Sequence, residues 1–179
     1  MPRQPGPKLH NLPLQLTSFI GRDAEIAQIS KRLTDPLCRL LTVVGTGGIG
    51  KTRLAIQAAT TLIDNFDQGV YFVPLQGIDA GEFLASAVAE AVDFPLSGQQ
   101  EPLAQVLNYL SDKRMLLLLD NFEQLVEQNG PVIMIKILAA APAVKLLVTS
   151  REVLNLQEEW LYPLPGLPVP DTLQMVNGK

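Results

Sequence analysis

The sequence predicts an α/β fold, a doubly wound, mostly parallel five-stranded sheet with helices on both faces. Three observations predict it. Short apolar runs at 40–44, 70–73, 115–119, 144–148 and 160–162 alternate with segments whose apolar residues recur at helical spacing. The run at 115–119, Met-Leu-Leu-Leu-Leu, has no polar member, as befits a strand covered on both faces. A glycine-rich turn joins the first run directly to a helical segment.

Taken in order, residues 1–16 carry Pro2, Pro5, Gly6, Pro7 and Pro13 and read as an extended arm or linker, with His10 a solvated loop residue. The domain proper is expected over 17–165. Ala24, Ile26, Ala27, Ile29 and Leu33 are spaced for a helix with one buried face, stopped by Asp35-Pro36. After the first strand, Leu54, Ala55, Ile56, Ala58, Ala59, Leu62 and Ile63 give a helix apolar over much of its circumference, which packs on a sheet. The second strand, 70–73, ends at Pro74. A third helix is expected over 82–92, and Pro102, at a favoured first helical position, opens a fourth carrying Leu103, Val106, Leu107 and Leu110 on one face. Asp120 closes the third strand. The next helix is expected to start at 123–127, to be interrupted by Gly130-Pro131 and to resume over 132–141. Strands at 144–148 and 160–162 follow, with Trp160 and Tyr162 in packing roles. Residues 166–179, rich in proline, are expected to leave the domain and begin a further module.

The turn after the first strand fits G-x-x-x-x-G-K-[ST] in full: Gly45, Thr46, Gly47, Gly48, Ile49, Gly50, Lys51, Thr52. Glycines let successive backbone N–H groups face inward around phosphate oxygens, and the helix that follows adds unpaired donors and the positive end of its dipole. Lys51 is placed for the β- and γ-phosphates. The Thr52 hydroxyl suits one site of an octahedral Mg²⁺. This is the phosphate loop, or Walker A motif, of a P-loop fold that holds a nucleoside triphosphate or its diphosphate.

Length and charge set the bounds. At 179 residues and 47% hydrophobic, the chain suffices for one substantial core. A net charge of −4 and no run of Lys or Arg argue against direct nucleic acid contact by this chain. Cys38, the one cysteine, permits no intramolecular disulfide and is expected to be buried or half-buried. No apolar run reaches 18 residues, no signal pattern opens the chain, and the expected compartment is the cytoplasm.

Asp120, at the end of the leucine run, has the form of a Walker B aspartate and pairs with Thr52 as the candidate metal ligand set; the plainer use is as a cap for the next helix. Asn121 follows it, and an amide cannot take a proton from water, so hydrolysis is expected to be slow or assisted. Glu123 is placed either to orient a water or to serve the first turn of the following helix. Arg151, after the strand at 144–148 and Thr149-Ser150, is placed to sense a γ-phosphate, against the plainer reading of a surface pair with Glu152 or Glu158. The candidate catalytic set is therefore Lys51, Asp120, Glu123 and Arg151.

The ordered motifs Phe19-Ile20-Gly21-Arg22-Asp23, Gly45 to Thr52, Leu116 to Asn121 and Thr149-Ser150-Arg151 resemble the NB-ARC class of STAND signalling ATPases. The likeness covers roughly residues 12–168 and is greatest to the nucleotide-binding domain of large bacterial transcriptional regulators. It implies that Phe19, Ile20, Gly21 and Arg22 line an adenine pocket, so that the ligands are ATP or ADP, with the Mg²⁺ expected at Thr52 and Asp120. Arg53, next to the loop, is placed with the loop residues in the candidate nucleotide-binding set. The likeness also implies that helical and winged-helix domains of the intact protein close over the nucleotide, and that ATP in place of ADP opens a switch, either to assemble in a nucleotide-dependent oligomer or to act on transcription. The family usually has Glu at Asp23 and often a second acidic residue at Asn121.

Two other classes compete. A small P-loop kinase or phosphotransferase would need an acceptor lid rich in Arg, and 77–82 and 97–102 contain none. A degenerate fold kept as a protein-interaction scaffold is opposed by intact Lys51, Thr52 and Asp120 and left open by Asn121.

Overall fold

Alternate leucines of the third strand face opposite ways because side chains alternate across a strand, and this divides the interior in two. Leu117 and Leu119 join one apolar cluster; Leu116 and Leu118 join the other. The computed structural model describes residues 9–17 and 19–166. The strands are β1 (Leu40–Val44), β2 (Val70–Pro74), β3 (Leu116–Asp120), β4 (Lys145–Ser150) and β5 (Glu159–Pro163), in the order β2-β3-β4-β1-β5. Every pairing among them is parallel, so the sheet is wholly and not mostly parallel.

Helices α1 (Asp23–Thr34) and α2 (Lys51–Thr61) cover the Leu116–Leu118 face, with Ile29, Leu33, Leu54 and Ala58 fully or almost fully buried. Helices α3 (Leu84–Ala91), α4 (Pro102–Leu110) and α5 (Gly130–Ala140) cover the other, with Leu84, Val88, Leu110 and Ile137 inside. Burying one such leucine stabilises by roughly 1.5–3 kcal/mol relative to exposure.

Two stretches differ from the expectation. Residues 81–83 form a 3₁₀ turn before α3, so the regular helix starts at Leu84. Gly130-Pro131 does not interrupt a helix: Phe122–Leu125 is a separate 3₁₀ turn, and α5 begins at Gly130. Proline has no N–H to lose in a first helical turn, where that donor lacks a partner anyway. The expected exit module lies outside the described residues except for Gly166.

Two half-buried cations close the end of the sheet away from the phosphate loop. Arg39 donates to the carbonyls of Leu138, Ala141 and Val144, satisfying the C-terminal end of α5. Lys145 donates to Leu33 and Asp35 at the end of α1. Helix C-termini leave carbonyls unpaired and carry partial negative charge, so both contacts are favourable. Burial lowers both cations' pKa values.

The arm lies along the open edge of β2. His10, exposed, makes an isolated parallel bridge with Val70. Asn11 Nδ2 donates to the carbonyl of Phe72 at 3.0 Å, and its Oδ1 accepts from the Phe72 N–H, so one side-chain amide stands in for a strand residue.

Cys38 is fully buried, and burial pushes its thiol from 9.0 to about 11. The unfolded chain then loses that proton first, so between pH 9.0 and about 11 the folded state binds more protons and stability falls as pH rises. An alkylating reagent at pH 8 should modify Cys38 only at the rate of global opening, and protection should vanish in denaturant. Rapid labelling of the native protein would contradict this burial.

Candidate functional site

The sheet order turns at β1: the chain leaves β1 for β2, beyond β4 and β3, while β5 lies on the other side of β1. In such sheets the crevice at the carboxyl ends of the strands near this reversal is where ligands bind. The loop after β1, Asp120 at the end of β3, and Arg151 after β4 all lie on that rim.

The loop is tied down at its start, where Gly45 N–H donates to Ser150 O at 3.2 Å. It ends at Gly50, whose φ of 90° is left-handed and strained for any residue with a Cβ. Helix α2 starts next, and no side chain caps its first turn, which leaves backbone donors facing the loop. Lys51 is buried and its ammonium donates to Gly45 O at 2.8 Å and Thr46 O at 2.9 Å. Burial lowers its pKa, Arg151 adds to the shift, and Glu123 and Asp120 oppose it.

Asp120, 4% exposed, joins the ends of β3 and β4 to the first turn of α2. Its Oδ1 accepts from Thr52 Oγ1 at 2.7 Å and Thr149 Oγ1 at 2.6 Å, and its Oδ2 accepts from Asn121 Nδ2 at 3.2 Å. A carboxylate beside a hydroxyl is the hard-oxygen set that suits Mg²⁺ completed by phosphate and water. Asn121 has φ 63°, a conformation asparagine tolerates better than most residues, and its N–H donates to Thr149 Oγ1.

Arg151 pairs with Glu123, Nε to Oε1 at 3.4 Å, and not with Glu152 or Glu158. Glu123 lies within the 3₁₀ turn after β3. With Gln76, Asn121 and Gln124 these two line a cleft of about 180 Å³ on the rim. A larger hollow of about 480 Å³ beside Phe72 and Phe83 lies against α3, and Glu90 is the one charged residue of its lining.

The other expected residues fall in two groups. Thr46, Gly47 and Gly48 are exposed on the loop, and Ile49 is half-buried. In the lead-in to α1, Phe19 is half-buried, Ile20 is 84% exposed and Gly21 has φ 82°. Arg22 is buried, paired with Glu25 and donating to Pro165 O. The Arg53 guanidinium points away from the loop glycines, to Gln15 and Thr17, and stacks over the Phe19 ring at 5.3 Å. It thus holds Gln15, Thr17 and Phe19 against α2. Thr149 is the residue that sequence reasoning left without a role; a hydroxyl at the end of an otherwise apolar strand was the available signal.

The fold and this rim define a P-loop nucleotide-binding domain. The profile of the NB-ARC domain matches residues 22–156, and the chain belongs to that family. It is 34% identical over 133 residues to a protein of Mycobacterium tuberculosis named as an HTH-type transcriptional regulator, covering 74% of this chain and 15% of the relative. Regulatory protein AfsR of Streptomyces griseus is 31% identical over 158 residues, covering 78% of this chain and 15% of AfsR. The chain therefore spans about a seventh of the length of these regulators. Among solved structures, Cdc6p of Pyrobaculum aerophilum superposes with a TM-score of 0.59 at 16% identity, over 79% of this chain and 41% of that one. The ORC2 protein of Aeropyrum pernix gives 0.58 at 15%, over 86% and 50%. At these identities the likeness concerns the fold.

Thr149→Val keeps the shape but removes the hydroxyl that serves both Asp120 and Asn121. Unfolding in denaturant should show a loss of about 1–3 kcal/mol. A change within experimental error would mean that the Thr149 hydroxyl does not hold this rim together.

Proposed function

We propose that this domain binds ADP and ATP with Mg²⁺ and serves as the nucleotide-dependent switch of a larger regulatory protein. The observation that carries the reading is the 2.7 Å bond from Thr52 to Asp120 directly beside the phosphate loop. Backbone N–H groups of 46–51 and the start of α2 would receive the phosphates, with Lys51 turning from the Gly45 and Thr46 carbonyls to the β- and γ-oxygens. Thr52 and Asp120 would hold Mg²⁺, which supplies charge neutralisation between the phosphates. Phe19 to Arg22 would line the base, with Arg53 fixing their position through the Phe19 ring. The Aeropyrum pernix ORC2 structure, described as ADPNP-ADP complexes, supports the choice of adenine nucleotide through fold alone.

Turnover is slow in this reading. Asn121 offers no base, and Glu123 is engaged with Arg151. Arg151 would touch the terminal phosphate and tell triphosphate from diphosphate. A nucleotide moves a conformational equilibrium only through its differential affinity for the two states. Helical and winged-helix domains supply those states, with a nucleotide-dependent oligomer as output. The names of the regulator relatives support a role in transcription, and contact with DNA falls to other parts of the protein. The unit that binds nucleotide is 17–165, with 1–16 as its arm and 166–179 leading onward. Among the described residues no helix is long and apolar enough to cross a membrane, in keeping with a cytoplasmic protein.

Thermal unfolding with Mg²⁺ and ADP or ATP, beside Lys51→Ala, tests the reading. Nucleotide at about 100 times its dissociation constant should stabilise by roughly 2.7 kcal/mol, a rise of roughly 5–10 °C, absent in the variant. No rise with either nucleotide would sink the proposal. Asn121→Asp should raise slow ATP hydrolysis by about tenfold or more if the absent base limits turnover; an unchanged rate would place the limit elsewhere.

A further inference from the structure

Arg151 and Glu123 are an unequal pair. The arginine is 66% exposed and the glutamate 20%, and their 3.4 Å separation is long for a charge-assisted contact. The guanidinium lies over the phosphate loop: a Cβ at Gly47 would stand 3.1 to 3.3 Å from Nη2, Cζ and Nε of Arg151. A side chain at position 47 would thus press on the arginine, and glycine lets it rest against the loop. The other carboxylate oxygen, Glu123 Oε2, is buried and has no hydrogen-bond partner among the described atoms. Glu123 is therefore a partly desolvated carboxylate whose ion-pair partner among the described residues is Arg151.

We infer that Glu123 is a latch on Arg151, holding the guanidinium at the loop in competition with the terminal phosphate of a nucleoside triphosphate. The inference rests on the nucleotide-binding reading and adds to it a residue that sets the preference between triphosphate and diphosphate. A diphosphate leaves the pair intact. A triphosphate gains Arg151 only by parting it from Glu123, and the desolvated carboxylate opposes that exchange. Glu123 is thereby a positioning residue acting through Arg151, and its engagement with the arginine is what keeps it from serving as a base.

The test is a double-mutant cycle on the full 179-residue chain. Dissociation constants for Mg²⁺-ADP and for a non-hydrolysable ATP analogue are measured by calorimetry in the wild type, Glu123→Gln, Arg151→Gln and the double variant. Removing the carboxylate also relieves plain repulsion of phosphate, which persists without the arginine; the latch is the part that does not. Glu123→Gln should raise the preference for the triphosphate analogue by about three- to fivefold more in the presence of Arg151 than in its absence. Glu123→Ala, a second neutral replacement, should show the same coupling. An equal gain in both backgrounds, or no gain, overturns the latch while leaving nucleotide binding standing. Slower hydrolysis in Glu123→Gln with an unchanged preference also overturns it, and assigns Glu123 to water activation. Failure of the wild type to bind either nucleotide removes the underlying reading, and the latch with it.

Discussion

The carboxylate of Asp120 ties together parts of the chain that are far apart in sequence. Thr52 reaches it from the first turn of α2, and Thr149 from the end of β4; Asn121 closes the other oxygen. The Asp120 side chain is 4% exposed and its bond to Thr149 fully buried, where an unpaired carboxylate would cost several kcal/mol, so the loop, the third strand and the fourth strand must arrive together. The parallel register places them. Leu116 to Leu119 lie opposite Lys145 to Val148, which sets Thr149 beside the end of β3.

The two ends of the sheet solve opposite problems. At one, Arg39 and Lys145 satisfy the last carbonyls of α5 and α1 from within the protein. At the other, the first turn of α2 has no side-chain cap. None of the α-helices has a side-chain cap at its start, and α2 is the one whose uncapped first turn directly follows the glycine-rich loop, so its free donors lie where the loop is.

Local and periodic features were legible in the sequence. The alternation of strands and helices, the phosphate loop and the aspartate after the leucine run each depend on neighbours within a few residues. The start of α5 was not legible because Gly130-Pro131 reads equally as a break or as a first turn. Long-range pairings were also hidden. Thr149 on Asp120, Glu123 under Arg151 and Arg53 on Phe19 follow from strand order and loop path, which no one-dimensional pattern contains. Asn121 was legible as a missing base, but its left-handed backbone and its bond to Thr149 give it a structural reason to be asparagine as well.

Asn11 has a consequence for how copies of this chain meet. An exposed parallel edge is a ready template for the strand of another molecule. The carbonyl and N–H of Phe72 both point at that edge, and both are taken by one amide, whose nitrogen also reaches Ala91 O. Self-association by strand addition at this point is closed off by a side chain from the arm and not by the domain itself. The short stretch ahead of the first helix thus covers part of an otherwise open sheet edge, and the boundary of the packed unit lies upstream of its own first regular element.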